Sequence, residues 1–187
     1  MTKRFLAGFA VLGLAAGPTL AGQQPTTAEK ADRMMAYSKV SDETFVMKAA
    51  NGGMAEVDLG KLAVEKAGSD EVKKFGQRMV DDHSKANAEL KTLAQNKHFT
   101  LPTEIEADEK ALHDRLAKLS GASFDRAYMQ AMIADHRKDL NEFRIEAKMG
   151  KDADVKGWAA KTLPMVEDHV KLAQNTNRAV GTSGSKK

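Results

Sequence analysis

The sequence predicts an all-α fold, a bundle of four long helices. Three observations carry that prediction. Aromatic residues make up only 5% of the chain, while Ala, Leu, Lys, Glu and Met are plentiful, a balance that favours helices over strands. Apolar residues recur at alternating spacings of three and four along four long stretches, as a helix with one buried face requires. A five-residue phrase also occurs three times: Met79-Val80-Asp81-Asp82-His83, Met132-Ile133-Ala134-Asp135-His136 and Met165-Val166-Glu167-Asp168-His169. Residues four apart lie one above the other on a helix. Each phrase therefore sets a thioether and an imidazole on one stripe.

Residues 1–21 read as a secretory signal peptide: Lys3 and Arg4, an apolar run from Phe5 to Ala16, and a small-residue cleavage site at Thr19-Leu20-Ala21. An exported protein is expected, most simply periplasmic; association with the outer membrane and an envelope protein partner are further expectations. No later stretch has the apolar length of a transmembrane helix. Without Lys3 and Arg4 the formal charge falls from +3 to +1, so the pI near 9.0 gives no support to nucleic-acid binding. The absence of Cys excludes a disulfide framework, a thiolate metal site and a lipid-anchored cysteine.

Residues 22–41 are polar and read as a flexible lead-in, and the bundle domain is expected over 42–178. Ser41-Asp42-Glu43-Thr44 looks like a helix start. The first helix then runs to about Ala67 with Phe45, Ala49, Gly52, Glu56, Leu59 and Ala63 inward. The pair Gly52-Gly53 points to close helix approach or a kink. Gly68 ends this helix and Ser69-Asp70-Glu71 opens the second, so the two form an antiparallel hairpin. The second runs to about Asn96, with Val72, Phe75, Met79, His83, Ala86, Leu90 and Leu93 inward. A break at Phe99 to Pro102 precedes a shorter helix over Glu104 to Leu119. The fourth spans Ser123 to Lys148, with Met129, Met132, His136, Leu140 and Phe143 inward. The fifth spans Asp152 to Arg178, with Val155, Trp158, Met165, His169, Leu172 and Thr176 inward. Pro164 must kink it or begin its second half. Residues 179–187 read as a disordered tail. Two hairpins joined by a long connection give the ferritin-like four-helix bundle, with a shorter fifth helix in the crossover.

The residues from Phe45 to Thr176 also carry a resemblance. They include Ala55-Glu56 with Leu59-Gly60-Lys61-Leu62-Ala63, then Val72-Lys73-Lys74-Phe75-Gly76 and Met79 to His83. Leu101-Pro102, Phe124-Asp125 with Tyr128 and His136, and Leu163-Pro164 with His169 complete the set. On these the chain resembles the exported bacterial family known as domain of unknown function 4142. The resemblance implies a ferritin-like fold and an envelope location, and no established activity.

The histidines carry the functional question. Glu56 lies 12 residues before Gly68 and His83 lies 15 after it, so the hairpin sets them at nearly one height. His136 lies 14 before Gly150 and His169 lies 19 after it, a larger mismatch. Glu56, His83, His136 and His169, one from each long helix, could thus converge on one transition-metal ion, with Cu or Zn ahead of Fe. Met79, Met132 and Met165 are possible soft ligands for copper, though core packing is their more ordinary use. A di-iron centre needs Glu-x-x-His on two helices. Here the third residue before each histidine is Val80, Ile133 or Val166, which speaks against it. The competing reading makes the same Glu/His set a polar core network. On either reading Asp82, Asp135 and Asp168 are expected to face solvent or to accept hydrogen bonds from the imidazoles. His98 and His113 are expected at the surface, and Trp158 and Tyr128 in the core or at its rim. No nucleophile elbow, phosphate loop, dinucleotide fingerprint or zinc-protease motif is present. Two functions stand: a non-enzymatic envelope or stress-related interaction protein, or a periplasmic metal-binding protein.

Overall fold

The structure, a computed structural model, describes Thr27 and residues 42–183. The expected signal peptide, almost all of the lead-in, and residues 184–187 of the expected tail lie outside the described residues. Five helices follow in order: α1 (Asp42–Lys66), α2 (Asp70–Lys97), α3 (Ala107–Ala117), α4 (Gly121–Met149) and α5 (Ala153–Ser183). Ser69 caps α2 as its sequence position suggests, its Oγ accepting from the Val72 N–H at 3.2 Å. α3 is shorter than expected. α5 runs through Pro164 as one helix and continues five residues beyond Arg178. Among the described residues no helix is long and apolar enough to cross a membrane.

Two carboxylates fix how the hairpins sit against each other. Asp125, in the second turn of α4, accepts from the Gly68 and Ser69 N–H groups at 2.9 and 3.0 Å. Asp42, at the start of α1, accepts from the Lys151 and Asp152 N–H groups at 3.0 and 2.8 Å. Each hairpin thus clamps the turn of the other. The start of α4 therefore lies beside the α1–α2 turn, where a backbone bridge also joins Ala67 and Gly121. It follows that α2 and α4 run in the same direction, so residues 98–120 must return along the length of the bundle. This is the bundle with one long crossover. The crossover is pinned where the Glu106 N–H donates to Asn51 Oδ1 at 2.8 Å, and α3 packs on α1 and α4. α1 and α5 lie across the bundle diagonal from each other, as do α2 and α4.

The core is two apolar clusters with a polar layer between them. Near the α1–α2 turn, Leu59, Phe75, Met79, Leu116, Phe124, Tyr128, Met132 and Ala173 are buried together. At the other end Phe45, Leu90, Phe143, Val155, Trp158 and Val166 form the second cluster, with the Phe45 and Phe143 rings edge-to-face at 5.1 Å. Along every long helix the residue between the clusters is polar and buried: Glu56, His83, His136 and His169.

The closest helix approach is not at Gly52-Gly53. An added Cβ at Gly52 would meet nothing nearer than 3.9 Å, and one at Gly53 would meet the movable side chain of Asn87. The backbones of α1 and α2 instead touch at Gly60 and Gly76. A Cβ at Gly76 would lie 2.8 Å from the Gly60 carbonyl and 2.7 Å from Ala63 Cβ. Gly76→Ala is expected to destabilise by about 1–3 kcal/mol through overpacking. Gly157→Ala, where nothing lies within 4 Å, should stabilise by up to about 1 kcal/mol through helix propensity. Urea midpoints of the two variants check this opposition of sign.

Candidate metal centre

The polar layer lies between the two apolar clusters. His136 and His169 are fully buried and His83 is 7% exposed. Their ring centroids are 5.8 Å (His83 to His136), 5.2 Å (His83 to His169) and 5.3 Å (His136 to His169) apart. One ring nitrogen from each lies within 4.8 Å of the other two. Two bonds of about 2.0–2.1 Å at a tetrahedral angle would set donor nitrogens about 3.3 Å apart. Closing onto an ion thus asks each pair to approach by roughly 1.5 Å or less.

The outer nitrogens show which lone pairs are free. His136 Nδ1 is 3.0 Å from the Met132 carbonyl, which can only accept. Nδ1 therefore carries the proton, and the buried Nε2, which has no partner, keeps its lone pair. His169 Nε2 is 2.9 Å from Asp82 Oδ2. Burial alone would raise the Asp82 carboxyl, but hydrogen bonds from Arg78 and His169 hold it below its usual value. As a carboxylate it accepts from His169 Nε2, and the buried Nδ1 is left unpartnered with its lone pair. His83 Nε2 is likewise buried and without a partner.

All three rings are neutral at neutral pH. Burial and the neighbouring histidines push His83 well below its ordinary value, and burial with His169 pushes His136 to about 4. His169 is lowered by burial, against the pull of Asp82. His136 and His169 thus present free lone pairs, and His83, which has no acceptor to hold a proton on Nε2, can present a third, a ligand set of neutral imidazoles.

Glu56 does not join that set. It sits on α1, diagonal to α5, and its carboxyl reaches His136 from the outer side, Oε1 to Nδ1 3.5 Å. It is fully buried, and its polar neighbours are His136 and the Asp135 carboxyl. Burial, then the charge and hydrogen bond of Asp135 and the charges of Asp139 and Glu109, raise its pKa well above the usual range, so it is held neutral and can donate to Asp135. The methionines line the surroundings. Met79 and Met132 are fully buried in the first apolar cluster, and Met165 packs against the second. It is the carbonyl of Met132 that meets a histidine. Of the three aspartates, Asp82 holds an imidazole, Asp135 lies beside Glu56, and Asp168 is exposed near Arg78. His98 is exposed, and His113 lies at the surface of α3. Tyr128 and Trp158 are core residues. Arg78 was not singled out from the sequence, although its place four residues before Asp82 is the ordinary signal of an ion pair on one helix face.

No curated protein and no solved structure matches the chain. Residues 24–176 match a family described as Domain of unknown function (DUF4142).

Proposed function

Since the chain belongs to the DUF4142 family, a membership that assigns no activity, we propose a function from the site: binding of one transition-metal ion by His83, His136 and His169. One observation carries the reading. Three buried imidazoles converge, each with an unpartnered inner nitrogen, and two are held from behind by a carbonyl and a carboxylate. Leaving such groups unsatisfied costs about 1–3 kcal/mol each. A bound ion would recover that energy. An all-imidazole set with no inward carboxylate suits Zn or Cu ahead of Fe. The fourth position would be open to water or a small anion. Lys3, Arg4 and the apolar run that follows support a periplasmic place for this binding.

The test separates ligand from structural histidine. Untagged protein is expected to carry or take up close to one equivalent of Zn2+ or Cu2+. At a hundredfold excess over Kd the ion should add about 2.7 kcal/mol of stability. His83→Leu should abolish that response. It should also leave the metal-free protein as stable or about 1 kcal/mol more stable, because it removes an unsatisfied buried nitrogen. If the wild type gains nothing from Zn2+, Cu2+ or Fe2+, and His83→Leu is strongly destabilised, the three histidines are core architecture.

A further inference from the structure

Apolar clusters flank the polar layer along the bundle axis, so the polar approach to it is between helices. The four seams are not equal. α1 and α2 touch backbone to backbone at Gly60 and Gly76, and α3 lies over the α1–α4 seam. α4 and α5 pack along their length as a hairpin. At the α2–α5 seam, the Asp82 side chain is 25% exposed while its Oδ2 touches the buried His169 Nε2. It joins solvent directly to a histidine of the site. Arg78 lies across this opening. Its Nε donates to the same Asp82 Oδ2, and its Nη2 is 3.6 Å from Asp168 Oδ2 on α5.

We infer that the α2–α5 seam is the route by which metal reaches and leaves the three-histidine site, and that Arg78, strapping Asp82 to Asp168, sets the rate of that passage. The inference rests on the metal-binding reading above. Two effects act together. The guanidinium cation repels an arriving metal cation, and it occupies the two carboxylates that would otherwise escort the ion inward. Arg78 is a positioning residue acting through Asp82. It touches no inner nitrogen.

The experiment is stopped-flow uptake of Zn2+ by the metal-free full chain, with release followed into excess chelator. Arg78→Gln is expected to speed association by about tenfold. Release should also speed up, so that Kd changes by less than either rate. The ratio of variant to wild-type association rate should shrink as salt rises, because the repulsion is screened. A merely destabilising change would raise release alone and show no such salt signature. Arg144→Gln, which removes a pair with Glu167 across α4 and α5, should leave both rates unchanged. A readout without metal accompanies these: solvent exchange of the His169 Nε2 proton, read by 15N NMR of the imidazole, should quicken in Arg78→Gln and not in Arg144→Gln. Binding with unchanged rates in Arg78→Gln overturns the gate and leaves the site standing. Slower uptake in Glu109→Gln with no change in Arg78→Gln moves the route beneath α3 and equally overturns it. A wild type that takes up no ion overturns both.

Discussion

Between pH 7 and pH 4 the metal-free wild type is expected to lose about 3 kcal/mol of stability relative to a His136→Leu variant. The sign follows from the lowered pKa. In the unfolded chain His136 takes a proton below its ordinary value of 6.5, whereas in the fold burial and His169 delay this to about 4. Across that window the unfolded state binds more protons, so stability falls as the pH falls, and the loss is complete below about 4. Removing the imidazole removes this dependence. His83 and His169 are shifted in the same direction and add to the acid sensitivity of both proteins. Glu56, raised by burial, and Glu146, raised to about 7 by burial and Asp42, act oppositely. Their folded-state protons favour the fold at low pH, and that benefit fades as the pH rises. This is why the difference between the two proteins is the quantity to read. Urea unfolding at pH 7, 5.5 and 4 measures it, and a pH-independent difference would mean that His136 protonates as readily in the fold as outside it.

Asp125→Ala should cost about 3 kcal/mol at pH 7. The side chain is 3% exposed, and it alone answers the Gly68 and Ser69 N–H groups of the α1–α2 turn. Hydrogen bonds to a charged acceptor contribute about 1.5–3 kcal/mol each, and donors left buried add their desolvation. Asp125→Asn keeps one acceptor oxygen and is expected to lose about half as much. Asp42→Ala removes the matching pair at the other turn, where the Lys151 N–H is exposed to water, and about 1–2 kcal/mol is expected. Denaturant midpoints should place Asp125→Ala below both Asp125→Asn and Asp42→Ala. A shift under about 1 kcal/mol for Asp125→Ala would show that the turn holds without the clamp.

The long helices and the inward histidines were legible because both depend on periodicity, which burial enforces over many residues. His83, His136 and His169 each stand between apolar neighbours on one stripe, and all three are buried in the middle layer. The α4–α5 turn was harder to place. Hinged at Gly150, the histidine heights disagree by five residues. The turn is centred on Lys151, which leaves 15 and 18 residues, the same three-residue offset as the 12 and 15 of the first hairpin. That offset is about 4.5 Å along a helix. Gly150 draws the eye as a helix terminator, but the Asp42 carboxylate fixes the bend from another helix, and no local pattern records it. Glu56 was read as a fourth ligand because height along a hairpin is visible in sequence and position around the bundle is not. The diagonal placement of α1 and α5 turns its carboxyl to the outer face of His136. Gly52-Gly53 caught attention as a pair, while the contact that closes α1 on α2 is made by two isolated glycines 16 residues apart, on helices whose crossing point only the packing defines.

The middle layer has a consequence for alignment that holds with or without an ion. Coiled-coil seams of uniform apolar residues can slip by a turn at little penalty, and one buried polar position is enough to fix their register. Here every long helix places its polar residue at one level, flanked by Phe, Leu, Met and Val above and below. Sliding any helix by a turn would carry an imidazole, or the Glu56 carboxyl, into an apolar layer and bring a methyl-rich side chain among the remaining histidines. The layer therefore acts as a ruler that admits a single axial setting of four helices. It trades some stability for that setting, and any redesign that replaces all four residues with leucine should fold more stably while losing the information that says where each helix stops sliding.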